Sequence, residues 1–332
     1  WPKHKYSDRF PKTMRGILPT AWICICSIYS AHAEPIHVVA SPLPVENNVR
    51  LFGTGGTLTY KGGFELSSYD VRFGGFSGLV LNRDGTQMTA ISDQGWWLNG
   101  TLTYSGHGEL TSLVLPELFP MLSPDGRKPQ AEKSSDAEAI VQFPNGDLVV
   151  AFERDHRLWS YSNILSPARR FATNPIVSTL PYNRGIEALV TLDAGRLLAI
   201  SESGPTDSSL NGWILEGMQA TPFTYHSDGY FRPSDAVALD DGRILVLERG
   251  YTKNRGVSAR LMTLDVTNLE PDDSLQPSQF MELGIALPLD NFEGVAFRRD
   301  PTGAKFIYLM SDDNYSRSQR TLFMMFEFED AR

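Results

Sequence analysis

Apolar residues in this chain fall into short, nearly unbroken runs separated by turns, and the arrangement recurs. Val141-Gln142-Phe143 leads into Pro144-Asn145-Gly146-Asp147 and returns as Leu148-Val149-Val150. The same shape surrounds Asp84-Gly85, Ala194-Gly195, Asp241-Gly242 and Thr302-Gly303. Asn-Gly and Asp-Gly suit tight hairpins because such turns need positive φ angles. The runs are almost continuously apolar rather than alternating, which predicts strands covered on both faces. Each unit therefore reads as a β-hairpin buried within a larger sheet assembly.

Polar residues punctuate the hairpins at fixed places. The copies are Phe76-Ser77-Gly78-Leu79 with Ile91-Ser92-Asp93, Asp136-Ala137-Glu138-Ala139 with Phe152-Glu153-Arg154, and Gly185-Ile186-Glu187-Ala188 with Ser201-Glu202-Ser203. Pro233-Ser234-Asp235-Ala236 with Leu247-Glu248-Arg249, and Asn291-Phe292-Glu293-Gly294 with Ser311-Asp312-Asp313, complete the set. The intervals are 138 − 77 = 61, 187 − 138 = 49, 235 − 187 = 48 and 293 − 235 = 58 residues. A four-stranded propeller blade needs about 40–50 residues. Further strands are predicted at Gly100 to Tyr104, Leu110 to Leu115, Ala259 to Val266 and Phe280 to Leu287. The last copy ends at a third strand, Thr321 to Phe328, and the early strand Phe64 to Val71 is expected to close the ring. The expected fold is an all-β propeller with five motif-bearing blades. A sixth would have to come from Ile36 to Val71, which lacks the motif. Ring closure protects sheet edges. With the hairpins innermost, their acidic ends meet at one mouth of the central channel, opposite the Gly turns.

Composition narrows the setting. Arg15, the apolar stretch Ile17 to Tyr29 and Ala31-His32-Ala33 read as a basic region, a hydrophobic region and a cleavage site. The apolar run is shorter than the roughly 20 residues of a membrane span. Residues 1–33 are thus expected to be an upstream segment plus a signal peptide, and 34–332 one propeller domain that is periplasmic or secreted and monomeric. Both cysteines, Cys24 and Cys26, lie in the predicted leader. The mature chain then has no thiol chemistry or disulfide. It keeps 30 − 5 = 25 basic and 39 − 1 = 38 acidic residues, a formal charge of −13. That excess argues against nucleic acid, whose phosphates call for clustered Lys and Arg, and favours cations.

Several of these motifs together resemble the Phytase-like family of exported bacterial proteins, described as "esterase-like activity of phytase". The resemblance rests on Phe73-Gly74-Gly75-Phe76-Ser77-Gly78-Leu79, Ser92-Asp93-Gln94-Gly95, Asp136-Ala137-Glu138 and Phe152-Glu153-Arg154. It continues through Asn183-Arg184-Gly185-Ile186-Glu187-Ala188-Leu189, Leu247-Glu248-Arg249, Asn291-Phe292-Glu293-Gly294 and Ser311-Asp312-Asp313-Asn314-Tyr315. It covers about Phe64 to Phe328 and implies ester or phosphoester hydrolysis. Glu138-Ala139 and Glu187-Ala188 depart from the family's frequent Glu-Gly, and the added methyls are expected to narrow the channel mouth.

The residues themselves suggest a hard-cation site. Carboxylates crowded around one axis repel, and need a cation, protons or Arg between them. Ca²⁺ or a similar divalent ion takes six to eight oxygen ligands. Glu138, Glu187, Glu293 and Asp313 are the candidate ligands, with Asp235 read as the fourth copy's equivalent of the glutamates. Asp235, Asp93 and Asp312 are candidate catalytic carboxylates; Arg154, Arg249 and Asn314 are candidates for gripping a small anionic or ester substrate. Ser77 fails the Gly-x-Ser-x-Gly pattern because Leu79 replaces the second Gly. His156 is an isolated acid–base candidate, and Trp96-Trp97 offers either a sugar platform or packing between blades. Three readings remain open: an exported metal-dependent hydrolase, a lactone-cleaving propeller, and a non-catalytic binding propeller with a structural metal.

Overall fold

The computed structural model describes residues 34–331 apart from 47, 130–133 and 285; the expected signal peptide lies outside the described residues. Five antiparallel sheets surround a channel. Blade 1 runs outward through Phe76–Leu81, Gln87–Ser92, Trp96–Tyr104 and Leu110–Pro120. Blade 2 comprises Ala137–Gln142, Leu148–Phe152, Arg157–Tyr161 and Arg169–Arg170. Blade 3 comprises Ile186–Thr191, Leu197–Ser201, Ser209–Glu216 and Gln219–His226, with Asp273–Leu275 added in parallel outside. Blade 4 comprises Arg232–Ala238, Ile244–Thr252, Gly256–Leu264 and Ser278–Leu283.

Blade 5 closes the ring. Its Asn291–Arg299, Lys305–Asp312 and Thr321–Asp330 are completed by Gly56–Ser68, which pairs with the last of them. The closing strand thus begins earlier than the expected Phe64 and stops at Ser68. The rest of the N-terminal region adds Val38–Pro42 to this sheet and Glu34–Pro35 to blade 1, so it builds no sixth blade. The innermost strand of each blade packs against the next, and that of blade 5 meets that of blade 1.

The apolar runs are explained by five hydrophobic cores, one between each pair of neighbouring blades. Leu247, Leu261 and Met281 of blade 4 face Phe292, Leu309 and Phe326 of blade 5. Ile91 and Trp97 of blade 1 meet Ile140, Phe152 and Tyr161 of blade 2, with Trp97 edge-on to Tyr161 at 5.0 Å. Each such side chain contributes about 1.5–3 kcal/mol when fully buried. A strand between two cores has no solvent face, which is why its sequence does not alternate.

One irregularity recurs in every inner hairpin. The register slips so that one residue of the first strand has no partner: Ser77, Glu138, Glu187, Ser234 and Glu293. A bulge at a barrel or propeller rim re-aims a side chain. The fourth equivalent is therefore Ser234, not Asp235, which pairs with Leu247 inside the ladder. The methyls of Ala139 and Ala188 are fully buried in inter-blade cores and do not narrow the mouth. In blades 1 and 5 the same position is tight, since a Cβ on Gly78 would lie 2.9 Å from the Ile140 side chain and one on Gly294 3.0 Å from Leu79.

Candidate functional site

The bulges put three glutamates and two serines at one end of the channel, and the exits of the second strands add a second layer. The residue following each hairpin's last core-facing pair is Asp93, Glu153, Glu202, Arg249 and Asp312 in blades 1 to 5. Backbone bonds from Asp93, Glu153 and Glu202 to the carbonyls of Gly75, Asp136 and Gly185, at 3.0, 2.8 and 3.2 Å, pin this layer beside the first. Arg154, Asn314 and Tyr315, which lie just past the exit acids of blades 2 and 5, have positive φ angles of 60°, 47° and 49°. Such backbone is costly for non-glycine residues and clusters at functional sites.

Glu138, Glu187 and Glu293 lie within electrostatic reach of one another. Burial, then Glu187, Asp136, Glu293 and Glu153, hold the Glu138 carboxyl well above the usual range. Glu187 is raised by burial, then by Glu202, Glu153 and Glu293. Asp93 is pushed up to about 7 by burial and then by Asp136, Glu293 and Asp313. Asp312 is pushed up to about 9 by burial, then by Glu293, Asp93 and Asp313.

Ligand geometry is best at one corner. Asp136, Glu138 and Glu153 of blade 2 each offer a carboxylate oxygen, and these atoms lie within 4.8 Å of one another. This buried acidic cluster could hold a metal ion. The donor set is all oxygen, which fits Ca²⁺, Mg²⁺ or Mn²⁺ and not a soft metal. Asp93 Oδ1 is buried and receives no hydrogen bond among the described residues, as expected of an oxygen positioned for a cation or a proton. Glu153 uses Oε1 to accept from the Gly185 amide at 3.0 Å, and burial and nearby acids push its carboxyl up to about 7. Asp136 and Glu153 were absent from the expected ligands. Their signal was available: Glu153 aligns with Asp93 and Asp312 once the hairpins are superposed by register.

The remaining expected ligands are partly occupied. Glu293 Oε1 faces Arg249 Nε at 2.9 Å and accepts from Asn291 Nδ2 at 2.8 Å. Asp313 Oδ1 accepts from the amides of Gly75 and Tyr315, both at 3.0 Å, which ties the loop before blade 1 to the end of blade 5. Asp312 Oδ1 accepts from the Asn314 amide at 2.7 Å. Asp235 is 1% exposed and spends its two oxygens on the amides of Ala236 and Val295, at 2.8 and 2.7 Å. It is a latch between blades 4 and 5, each of its oxygens accepting a backbone amide.

Both arginines stand among the acids. Arg154 Nε lies 2.9 Å from Asp136 Oδ2. Arg249 is raised first by Glu293, then by Glu202, Glu187 and Glu138, so its charge is the internal counter-ion of the ring. Arg249 and Asn314 also line one cleft of about 820 Å³ between blades 4 and 5.

Other polar candidates have structural positions. Glu248 is fully buried between blades 3 and 4, bonded to Arg260 Nε at 2.5 Å and to the Tyr225 hydroxyl at 2.8 Å. His156 shares a hydrogen atom with the Pro181 carbonyl at 2.9 Å; since a carbonyl only accepts, Nε2 donates. Trp97 packs between blades, whereas Trp96 is half-buried beneath Arg72 and Lys128.

Among proteins with curated descriptions, none matches this sequence. Among solved structures, the α-L-arabinofuranosidase of Podospora anserina in complex with cellotriose aligns at 13% identity and a TM-score of 0.51, covering 84% of this chain and 98% of that one. An endo-arabinase from Bacteroides thetaiotaomicron aligns at 10% identity and 0.48, covering 76% and 93%. A gluconolactonase from Xanthomonas campestris aligns at 8% identity and 0.46, covering 89% and 99%. At such identities the first of these supports the propeller fold alone. The sequence profile of the Phytase-like family, described as "Esterase-like activity of phytase", matches residues 71–315, all five bulged hairpins included, and the chain belongs to that family.

Proposed function

We propose that this protein is an exported, cation-dependent hydrolase of ester or phosphoester bonds, working at the acidic mouth of its propeller. The observation that carries the reading is the convergence of Asp136, Glu138 and Glu153 to within 4.8 Å, inside a ring of further acids. Arg154 and Arg249 offset part of this charge, and the buried carboxylates that remain call for a cation or protons at neutral pH. Asp136, Glu138 and Glu153 would hold a Ca²⁺-type ion. When bound, such an ion draws charge from a carbonyl or phosphoryl oxygen.

The chain's own groups supply the rest. Asp93, raised to about 7, is poised to take a proton from water near neutral pH. Asp312, raised to about 9, keeps its proton there and can give it to a leaving oxygen. Two carboxyls whose environments separate their pKa values in this way suit a base and an acid. Arg249 and Asn314 face the cleft in which the remainder of a small substrate would lie. The apolar floor beneath the ring, Leu79, Ile140, Leu189, Ala236 and Val295, keeps the dielectric low.

The test uses purified residues 34–332 against aryl phosphates, phosphodiesters, short aryl esters and lactones, each with Ca²⁺ and with EDTA. Turnover of an ester or phosphoester that EDTA abolishes and Ca²⁺ restores is expected. Absence of turnover across the panel would overturn the hydrolase reading and leave a binding propeller.

A further inference from the structure

The cleft between blades 4 and 5 differs in chemistry from the ring it adjoins. Its walls include Arg249, Tyr251, Asn314, Gln319 and Arg320, and it holds about 820 Å³. These residues offer donors that the protein leaves unused. Arg320 gives Nε to Asp290 Oδ2 at 3.2 Å and Nη2 to the Leu289 carbonyl at 3.3 Å, and Nη1 makes no hydrogen bond among the described residues. Arg249 meets Glu293 through Nε, and neither of its Nη groups is hydrogen-bonded among the described residues. The side-chain amides of Asn314 and Gln319 also lack partners among the described residues, and Tyr251 is 67% exposed.

A guanidinium presents five N–H groups in a fixed fork that matches a planar or tetrahedral oxyanion. Arg320 has its rear edge fixed by Asp290 and Leu289, so its free edge is oriented in advance, which lowers the ordering cost of binding. Asp290 is the cleft's only acidic lining residue, and its Oδ2 is already engaged by Arg320. The acidic ring, by contrast, offers almost only acceptors. A ligand able to use both must be anionic at one end and carry its reactive bond at the other.

We propose that this cleft is an oxyanion subsite, in which Arg320 and Arg249 hold an anionic group of the substrate away from the bond that is cleaved. Calling the occupant a substrate rests on the hydrolase reading; the anion site itself does not. Arg320, which lies outside the repeated hairpin motif, becomes the residue that selects for charge.

Calorimetry on the Ca²⁺-loaded chain tests this with phenylphosphonate, which cannot be hydrolysed as an ester, alongside benzoate and uncharged benzyl alcohol. Phenylphosphonate is expected to bind and benzyl alcohol not to; the benzoate arm shows whether the site takes phosphoryl groups alone or carboxylates too. Arg320→Gln should weaken phenylphosphonate about tenfold or more, as for loss of a charge-assisted bond. Arg320→Lys, which keeps the charge and loses the fork, should fall between the two. Arg196→Gln, an equal change in charge at the far end of blade 3, should leave the affinity within about twofold. Equal affinity in wild type and Arg320→Gln, or no binding by wild type, would overturn the proposal. Arg320-dependent binding with no ester turnover would sink the hydrolase reading and spare the subsite. Turnover combined with binding indifferent to Arg320 would do the reverse.

Discussion

The two ends of the inner hairpins are built from the same ten strands and have opposite chemistry. At the bulged end, Ser77, Glu138, Glu187, Ser234 and Glu293 crowd the axis. Two residues along, the equivalent positions are Leu79, Ile140, Leu189, Ala236 and Val295, and these line a cavity of about 200 Å³. The apolar end is held by packing and needs nothing from solution. The bulged end carries repulsion that packing cannot relieve. The difference shows how one displaced residue per blade converts a uniform core element into a concentrated site, and how the core beneath it sharpens the electrostatics above.

If the two ends are separable in this way, altering each should give opposite signatures. Replacing both Glu138 and Glu153 by Gln should weaken Ca²⁺ binding about 1,000-fold, about 4 kcal/mol, while raising the melting temperature of the metal-free protein by removing like charges. Calorimetry and thermal unfolding read the two effects, and a lower metal-free melting temperature would contradict the repulsion argument. Leu79→Ala, at a site 2% exposed, should cost about 3 kcal/mol of stability through the cavity it leaves. Its Ca²⁺ affinity should be unchanged; a large loss would mean that the ends are mechanically coupled.

A milder probe is pH. Asp93 and Asp312 have folded-state pKa values of about 7 and about 9, above the ordinary carboxylate value of about 4. The folded state therefore binds more protons between those limits, and the stability they confer is fully present below about pH 4 and is lost as pH rises through 7 and 9. Melting temperature without metal should fall between pH 5 and pH 8, and saturating Ca²⁺ should flatten the fall. A flat metal-free profile would place the unfavourable charge elsewhere. The smallest expected effect is that of Ser234→Ala, which deletes a 2.9 Å bond to the Phe292 carbonyl joining blades 4 and 5. Its cost should be about 1 kcal/mol, with no change in Ca²⁺ affinity.

Much of the architecture was readable because propeller blades repeat and each repeat must bury both faces of its inner strands. The Gly turns and apolar runs located all five hairpins, and the deficit of one strand after Thr321 pointed to closure by the N-terminal region. The site was readable only in part. Glu138 lies in the acidic cluster of blade 2, and Glu187 and Glu293 occupy the equivalent bulges of blades 3 and 5. Asp235 was misaligned by one position because its carboxylate resembles the others in sequence, whereas only pairing register reveals that Ser234 occupies the bulge. That Asp136 and Glu153 gather with Glu138 is a matter of distance between side-chain atoms, which the linear order of residues does not give.

What sequence alone determined was the repeated local chemistry: hairpin turns that accept only certain residues, and strands with no tolerance for a polar face. These are short-range constraints, each expressed within a few neighbouring residues. Tertiary structure decided which acids meet, which are consumed by backbone amides, and which face Arg249. Those outcomes depend on the slip of one residue in each ladder and on the angle between blades, since a carboxylate's role is set by what lies within about 4 Å of it.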